Sequence, residues 1–327
     1  MTMTSSGYVG RFAPSPTGPL HFGSLVAALG SCLEARAQGG RWLLRMEDVD
    51  EPRCSQSAAD DILRTLEACG LEWDGAVMLQ SARKERYREV LERLKREDLV
   101  YPCACTRREL ADSALAPDGA AIYPGTCRNG LPPGRQARAW RLRVDDATVR
   151  FDDAVQGRRR QDLAGEVGDF VLLRADGYFA YQLAVVVDDA DQGVTHVVRG
   201  ADLLDSTPRQ VFLQRCLGLS TPHYAHLPVA VNAAGEKLSK QTLAPAIDDH
   251  DPVPALVAAM RFLGQEVPPD MWRLATADFW VWARTAWQLD RVPRSRSLAA
   301  IFLAPNAGNA DRDANQRVGG PKGGTGQ

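Results

Sequence analysis

The chain has 327 residues, 45% of them hydrophobic and 24% charged, with a formal net charge of −2. This is the composition of a soluble globular protein with one large domain or two to three smaller ones. It excludes a polycationic nucleic-acid binder as a whole-chain property, although a local basic face is enough for RNA.

Residues 8–13, YVGRFA, read as a short strand, followed by PSPTGPLHFG. The uncharged stretch from Phe12 to Ser31 is broken by Pro14, Pro16, Gly18 and Pro19, whereas a membrane span needs roughly 20 unbroken apolar residues. No basic segment followed by an apolar core opens the chain, so no secretory signal is expected. Seven cysteines, an odd number, argue against a disulfide framework and for the cytoplasm. Cys32, Cys54, Cys69 and Cys216 read as scattered, incidental or buried thiols.

Leu25, Ala28, Leu29, Cys32 and Leu33 recur at helical spacing, with Ser24 as the expected N-cap and Gly39-Gly40 as the stop. RWLLRMEDVD is a second strand ending in acids, completing a βαβ unit with a parallel sheet. Helical patterns follow over 58–68 and 81–97. Residues 103–168, rich in Gly, Pro and Arg, form an expected insertion, and Arg107-Arg108 and Arg158 to Arg160 could belong to a basic face. FVLLRADGYFAYQLAVVVDDA suggests a hairpin at Asp176-Gly177 leading into a buried strand, Leu183 to Val187. A strand in THVVRGADLL precedes a helix over 208–217. HLPVAVNAAGEKLSKQ reads as strand, turn and lysine-bearing loop. The expected organisation is two halves of a catalytic domain at 1–102 and 169–245, a short helical region at 246–292, and a disordered tail at 293–327.

A Pro/Gly loop feeding a helix N-terminus at the carboxyl edge of a parallel sheet suits an anion. Gly18 and Gly23 allow close approach to the backbone, and His21 can donate to a phosphate. Lys237 and Lys240, three residues apart in GEKLSK, are the point charges that a triphosphate requires.

RFAPSPTGPLHFGS together with KLSK resembles a class I aminoacyl-tRNA synthetase of the glutamyl type, and the likeness runs in order from about 8 to 245. His21 to Ser24 match the HIGH-type motif and Lys237 to Gln241 the KMSKS-type motif. The resemblance implies a Rossmann-type α/β catalytic domain that adenylates glutamate, with ATP entering as a substrate with Mg²⁺. It makes His21 and Lys240 the catalytic candidates on the ATP phosphates, with Gly23 and Lys237 beside them. Matching charge to a dicarboxylic amino acid assigns Arg11 and Arg199 to carboxylates and Glu47 to the ammonium. Phe12, Ala13, Pro14, Ser15 and Tyr181 complete the glutamate contacts.

The chain stops soon after the second lysine motif, where an ordinary glutamyl-tRNA synthetase continues into a helical anticodon-reading domain. Gln241 stands at a usually basic position, and Val185 where an asparagine is usual on the substrate-facing strand. These departures resemble the truncated glutamyl-queuosine tRNA(Asp) synthetase family. Membership implies transfer of glutamate to queuosine at wobble position 34 of tRNA-Asp, with the anticodon loop entering the site; a monomer is expected. The alternatives are charging of a tRNA 3′ end with a reduced C-terminus, or a non-catalytic RNA-binding paralogue. Cys103, Cys105 and Cys127 are a plausible structural zinc set. The C-x-C…Y-x-x-x-C pattern of the truncated family implies Tyr123 as the fourth ligand.

Overall fold

A computed structural model describes residues 7–111, 113–116, 119, 121–145, 147–232, 234–238 and 246–300. Strand β1 (Val9–Phe12) leads through the Pro/Gly loop into helix α1 (Phe22–Ala37), and β2 (Arg41–Met46) returns parallel to β1. Leu25, Leu29 and Leu33, one turn apart, are fully buried, the pattern of a helix laid across a sheet. The helix begins three residues earlier than expected. His21 is its N-cap, in extended conformation with Nδ1 accepting from the Ser24 N–H, so Ser24 is inside the first turn. The loop before it is stapled down, because Glu47 N–H donates to the Pro14 carbonyl at 2.9 Å and Ser55 N–H to the Pro16 carbonyl at 3.0 Å.

Ser55 caps α2 (Gln56–Ala68), and β3 (Met78–Leu79) adds a third parallel strand beside β2. The helix expected from 81 starts at α3 (Lys84–Arg96), after a 3₁₀ turn at Gln80–Arg83. The segment expected as a single insertion divides in two. β4 (Val100–Cys103) and β5 (Ala139–Leu142) pair antiparallel around the cysteine-bearing loop. β6 (Thr148–Asp153) and β7 (Gly157–Asp162) form a hairpin that extends the catalytic sheet, since β6 runs parallel to β10 (His223–Leu227). A one-turn helix, α4 (Leu163–Glu166), then leads to β8 (Phe170–Leu173), antiparallel to β5.

The expected strand at 183–187 is instead part of a helix, α5 (Tyr181–Asp191). A short apolar run buried on every side has no period to separate the two states. Leu183 to Val187 are all buried, and Val185, expected beside the substrate, packs in the core. β9 (His196–Gly200) follows, then α6 (Thr207–Cys216), β10, and β11 (Val229–Val231). β9 is parallel to β10 and lies beside β1, where Thr195 N–H donates to the Val9 carbonyl at 2.9 Å. The two parallel groups thus meet at β1 and β9, the two ends from which the chain departs in opposite directions across the sheet.

Helices α7 (Val253–Phe262) and α8 (Thr276–Ala286) cover the outer face of α1. Buried indole N–H groups fasten α8: Trp287 Nε1, at its C-cap, donates to Glu34 Oε2 and Trp280 Nε1 to the Cys69 carbonyl, both at 2.8 Å. The chain expected to lose order from 293 forms another strand, β12 (Ser297–Ala299), parallel to β11. The remainder of that expected tail, 301–327, lies outside the described residues. Among the described residues no helix is long and apolar enough to cross a membrane.

Candidate functional site

One cavity of about 650 Å³ opens where the carboxyl ends of β1, β2, β9 and β10 converge, the edge at which parallel sheets bind ligands. The residues following each strand supply its wall: Arg11 to Ser15, Glu47, Arg199 to Gly200, and Leu227 to Val229. Tyr181 enters from the start of α5, and His21 and Gly23 from the start of α1. Across the opening stand Lys237 and Leu238. The Pro/Gly loop and the lysine loop, far apart in sequence, therefore share a single cavity.

The lysine loop is anchored on both sides. Lys237 bridges to Val231, Leu238 N–H donates to the Ala230 carbonyl at 2.8 Å, and Ala246 bridges to His21. The Leu238 carbonyl lies close against α1, where a Cβ at Gly23 would stand 3.4 Å from it and 3.2 Å from the His21 ring. Lys240 and Gln241 lie outside the described residues. Lys237 Nζ pairs with Asp202 at 2.5 Å.

The charged groups at the Arg11 and Glu47 end of the cavity are locked by partners that the sequence did not single out. Arg11 Nε donates to Asp189 Oδ1 at 3.2 Å. Arg45 reaches the same oxygen at 2.8 Å and Glu47 Oε1 at 3.2 Å. All four are buried. Burial would raise the Asp189 carboxyl, but the Arg11 and Arg45 charges outweigh it and hold it below its ordinary range. Burial dominates at Glu47, which is pushed above its ordinary range against the pull of Arg45 and Arg11. A ligand ammonium beside Glu47 would supply the missing positive charge. Burial also raises the Tyr181 hydroxyl, which keeps it protonated and able to donate. Arg45 and Asp189 have one retrospective signal, a charge set inside an apolar segment (RWLLRM, AVVVDDA).

The cysteine cluster is separate. Cys103, Cys105 and Cys127 bring their sulfurs within 4.8 Å of one another. The Tyr123 hydroxyl stands 3.5 Å from the sulfurs of Cys103 and Cys105 and accepts the Cys127 N–H at 2.8 Å. Arg141 Nε lies 3.3 Å from Cys103 Sγ, and its guanidinium covers the Tyr123 ring. Burial raises the Cys103 thiol, but its hydrogen bonds with Tyr123 and Arg141 outweigh it and bring it below its ordinary range, whereas burial keeps Cys105 above its own. Three sulfurs and a phenol oxygen around one point fit a tetrahedral zinc ion. By contrast Cys32 and Cys69 are core thiols, each pushed up to about 12 by burial. Of the basic runs, Arg158 pairs with Asp152 on the exposed face of the β6–β7 hairpin, where Arg150 and Arg160 stand opposite one another.

Residues 8–268 match the family described as tRNA synthetases class I (E and Q), catalytic domain. The glutamyl-Q tRNA(Asp) synthetase of Dechloromonas aromatica is 65% identical over 303 residues, covering 92% of this chain and 99% of its own. That of Chromobacterium violaceum is 60% identical over 291 residues, covering 89% and 97%. Two solved structures share the fold. A glutamate-tRNA synthetase from Elizabethkingia anophelis aligns with a TM-score of 0.73 at 24% identity, over 89% of this chain and 68% of that one. A glutamate tRNA ligase from Elizabethkingia meningosepticum, solved in complex with its amino acid, aligns with a TM-score of 0.74 at 23% identity, over 90% and 67%.

Proposed function

The chain belongs to the class I tRNA synthetases of the glutamate and glutamine type, in the branch whose curated members are named glutamyl-Q tRNA(Asp) synthetase, and from this we propose that it adenylates L-glutamate and transfers it to queuosine in tRNA-Asp. A glutamate carboxylate oxygen attacks the α-phosphorus of ATP in line, forming glutamyl-adenylate as pyrophosphate leaves. A hydroxyl of the cyclopentenediol ring at position 34 then attacks the glutamyl carbonyl carbon. AMP leaves with the electron pair of the broken acyl–oxygen bond, and the hydroxyl proton passes to solvent.

The observation that carries the reading is the single cavity that Arg11, Glu47, Tyr181 and Arg199 share with His21, Gly23 and Lys237. In it the two arginines take the carboxylates, Glu47 the ammonium, and Phe12, Ala13, Pro14 and Ser15 line the amino acid. Gly23 offers the first-turn backbone of α1 to the triphosphate, with His21 and Lys237 alongside. Lys240 neutralises charge as pyrophosphate departs. The chemistry is positioning and electrostatics, as expected where no side chain forms a covalent bond.

Cys103, Cys105 and Cys127, with the Tyr123 oxygen as fourth donor, would hold a zinc ion whose role would be structural, stiffening the loop between β4 and β5. The protein acts as a cytoplasmic monomer that admits the anticodon loop rather than a tRNA 3′ end.

The test uses ATP, Mg²⁺, labelled glutamate and queuosine-containing tRNA-Asp, followed by excision of the anticodon loop. Label on that fragment is expected. Label on the 3′ terminus would mean ordinary charging, and the absence of glutamate-dependent pyrophosphate exchange would mean no activation. Lys240→Ala should slow adenylate formation by more than about tenfold, or about 1.4 kcal/mol of barrier. A near-normal exchange rate would remove Lys240 from the role.

A further inference from the structure

Arg199 does not merely reach the cavity; its guanidinium is held on three sides. Nη2 donates to Thr207 Oγ1 at 2.8 Å and faces the Leu203 carbonyl at 3.4 Å. Nη1 donates to the Tyr181 hydroxyl at 3.2 Å, and Nε donates to His226 Nε2 at 3.0 Å. His226 is fully buried on β10, directly across from Arg199 in the parallel register.

Behind His226 stands a third strand. Asp153, the last residue of β6, places Oδ2 at 2.5 Å from His226 Nδ1. Its Oδ1 accepts the backbone N–H groups of Val155 at 3.1 Å, Gln156 at 2.8 Å and His226 at 3.1 Å. A carboxylate serving donors on both oxygens is an acceptor only. The His226 ring proton therefore sits on Nδ1, and the Nε2 lone pair faces Arg199. A ring protonated on Nε2 would set that N–H against the Arg199 Nε–H and turn the bare Nδ1 toward the Asp153 carboxylate; with Nδ1 protonated, the Thr207 hydroxyl, 3.1 Å from Nε2, can donate to the same lone pair. Burial, reinforced by the Arg199 charge, outweighs Asp153 and lowers His226 to about 4, so the imidazole stays neutral at physiological pH.

Resting on the assignment of Arg199 to glutamate, we propose that Asp153 and His226 are a positioning pair that fixes the Arg199 guanidinium, so that it and the Tyr181 hydroxyl meet a substrate carboxylate already oriented. Neither residue touches the ligand. Asp153 sets the histidine tautomer, the histidine sets the arginine, and the arginine loses little rotamer freedom on binding. A buried pair that merely stitched β6 to β10 would affect stability alone.

Three variants separate the two roles. His226→Phe keeps a ring but removes the acceptor. His226→Gln restores an acceptor near the position of Nε2. Asp153→Asn presents a donor to Nδ1 and drives the ring proton onto Nε2, against Arg199. In glutamate-dependent pyrophosphate exchange, His226→Phe and Asp153→Asn should raise the KM for glutamate by about tenfold or more while the KM for ATP stays within about twofold. His226→Gln should recover to within about threefold of the parent, and Asp153→Asn should add nothing in the His226→Phe background. Both KM values rising together with a fall in Tm, or His226→Gln failing as badly as His226→Phe in a folded protein, would overturn the proposal. Nitrogen NMR of the parent protein gives an independent reading. An Nδ1–H tautomer at His226 and an Arg199 Nε–H protected from exchange, with that protection lost in His226→Phe, support the pair. An Nε2–H tautomer overturns it. If the parent shows no glutamate-dependent exchange, the proposed function falls, and the NMR result alone decides the pair.

Discussion

The cavity and the cysteine cluster solve the same problem, holding polar atoms to a point, by opposite means. Arg11, Glu47 and Arg199 come from the ends of three different strands; Arg11 and Arg199 are fixed by buried partners on other elements, Asp189 and His226, and Glu47 by Arg45 two residues earlier on β2. Their geometry is a product of the parallel sheet and of the apolar residues on α1, α7 and α8 that hold it flat against its helices. Cys103, Cys105, Tyr123 and Cys127 lie at the end of β4 and in the loop after it, and among the described residues the buried apolar cluster around them is Tyr101, Ala104 and ligand candidates, with Leu110 and Leu131 partly buried against it. So small a core cannot fix a loop by burial alone. The cavity should therefore be sensitive to the shape of single side chains, and the cysteine loop to loss of the proposed zinc ion.

The largest expected effect tests the first half of that contrast. Arg199→Lys keeps the charge but loses the fork that engages Tyr181, Thr207 and His226 together. It should raise the KM for glutamate by about a hundredfold, or about 2.8 kcal/mol, with zinc content unchanged. A lysine enzyme within threefold of the parent, as roughly expected if only charge mattered, would show that the guanidinium geometry is irrelevant. Next in size is metal removal. Chelation, or Cys127→Ser, should make residues 103–138 sensitive to protease while glutamate-dependent pyrophosphate exchange keeps about half its rate or more. Parallel loss of exchange would join the two regions into one cooperative unit, and freshly purified protein without zinc would remove the site.

What could be read in advance follows the same division. The clustering of the cysteines and the meeting of the glycine-punctuated loop with Lys237 follow local patterns, legible because spacing along the chain brings these residues together. The partners that lock the cavity were not legible, because they depend on which strands become neighbours. Asp188 and Asp189 show why. Read on a strand, adjacent residues point to opposite faces; on α5 they are about 100° apart around a helix. Asp188 takes Gln80, Arg83 and Tyr87, while Asp189 takes Arg11 and Arg45. The same run of valines that hid the helix hid both networks. Asp153 was obscured differently. It ends a strand that looked like part of an insertion but belongs to the catalytic sheet.

A smaller effect should come from Gly168, which joins the cysteine loop to the body of the protein through its bridge to Tyr123. Its φ is 71°, and a Cβ there would stand 2.9 Å from the Tyr123 carbonyl. Gly168→Ala should cost about 1–3 kcal/mol of stability and speed zinc loss to a chelator, leaving the KM for glutamate unchanged. Normal zinc retention in the alanine protein would show that the loop holds its ion without that brace.

The smallest effect is a pH dependence confined to the cavity. Glu47 must be ionised to meet an ammonium, yet burial raises its carboxyl above the ordinary range. As pH falls from neutral, Glu47 therefore takes up its proton before an exposed carboxylate would, and the KM for glutamate should climb while that for ATP holds steady. Stability of the ligand-free protein should move the other way. Between the unfolded and folded pKa values the native state binds the extra proton, so Glu47's contribution to stability is present at low pH and declines as pH rises through the folded value. Glu47→Gln should flatten both trends. Glutamate pays back the burial of that charge by covering it with its own, so saturating glutamate should also remove the decline in stability. A decline that survives saturating glutamate would mean that the ammonium does not sit against Glu47.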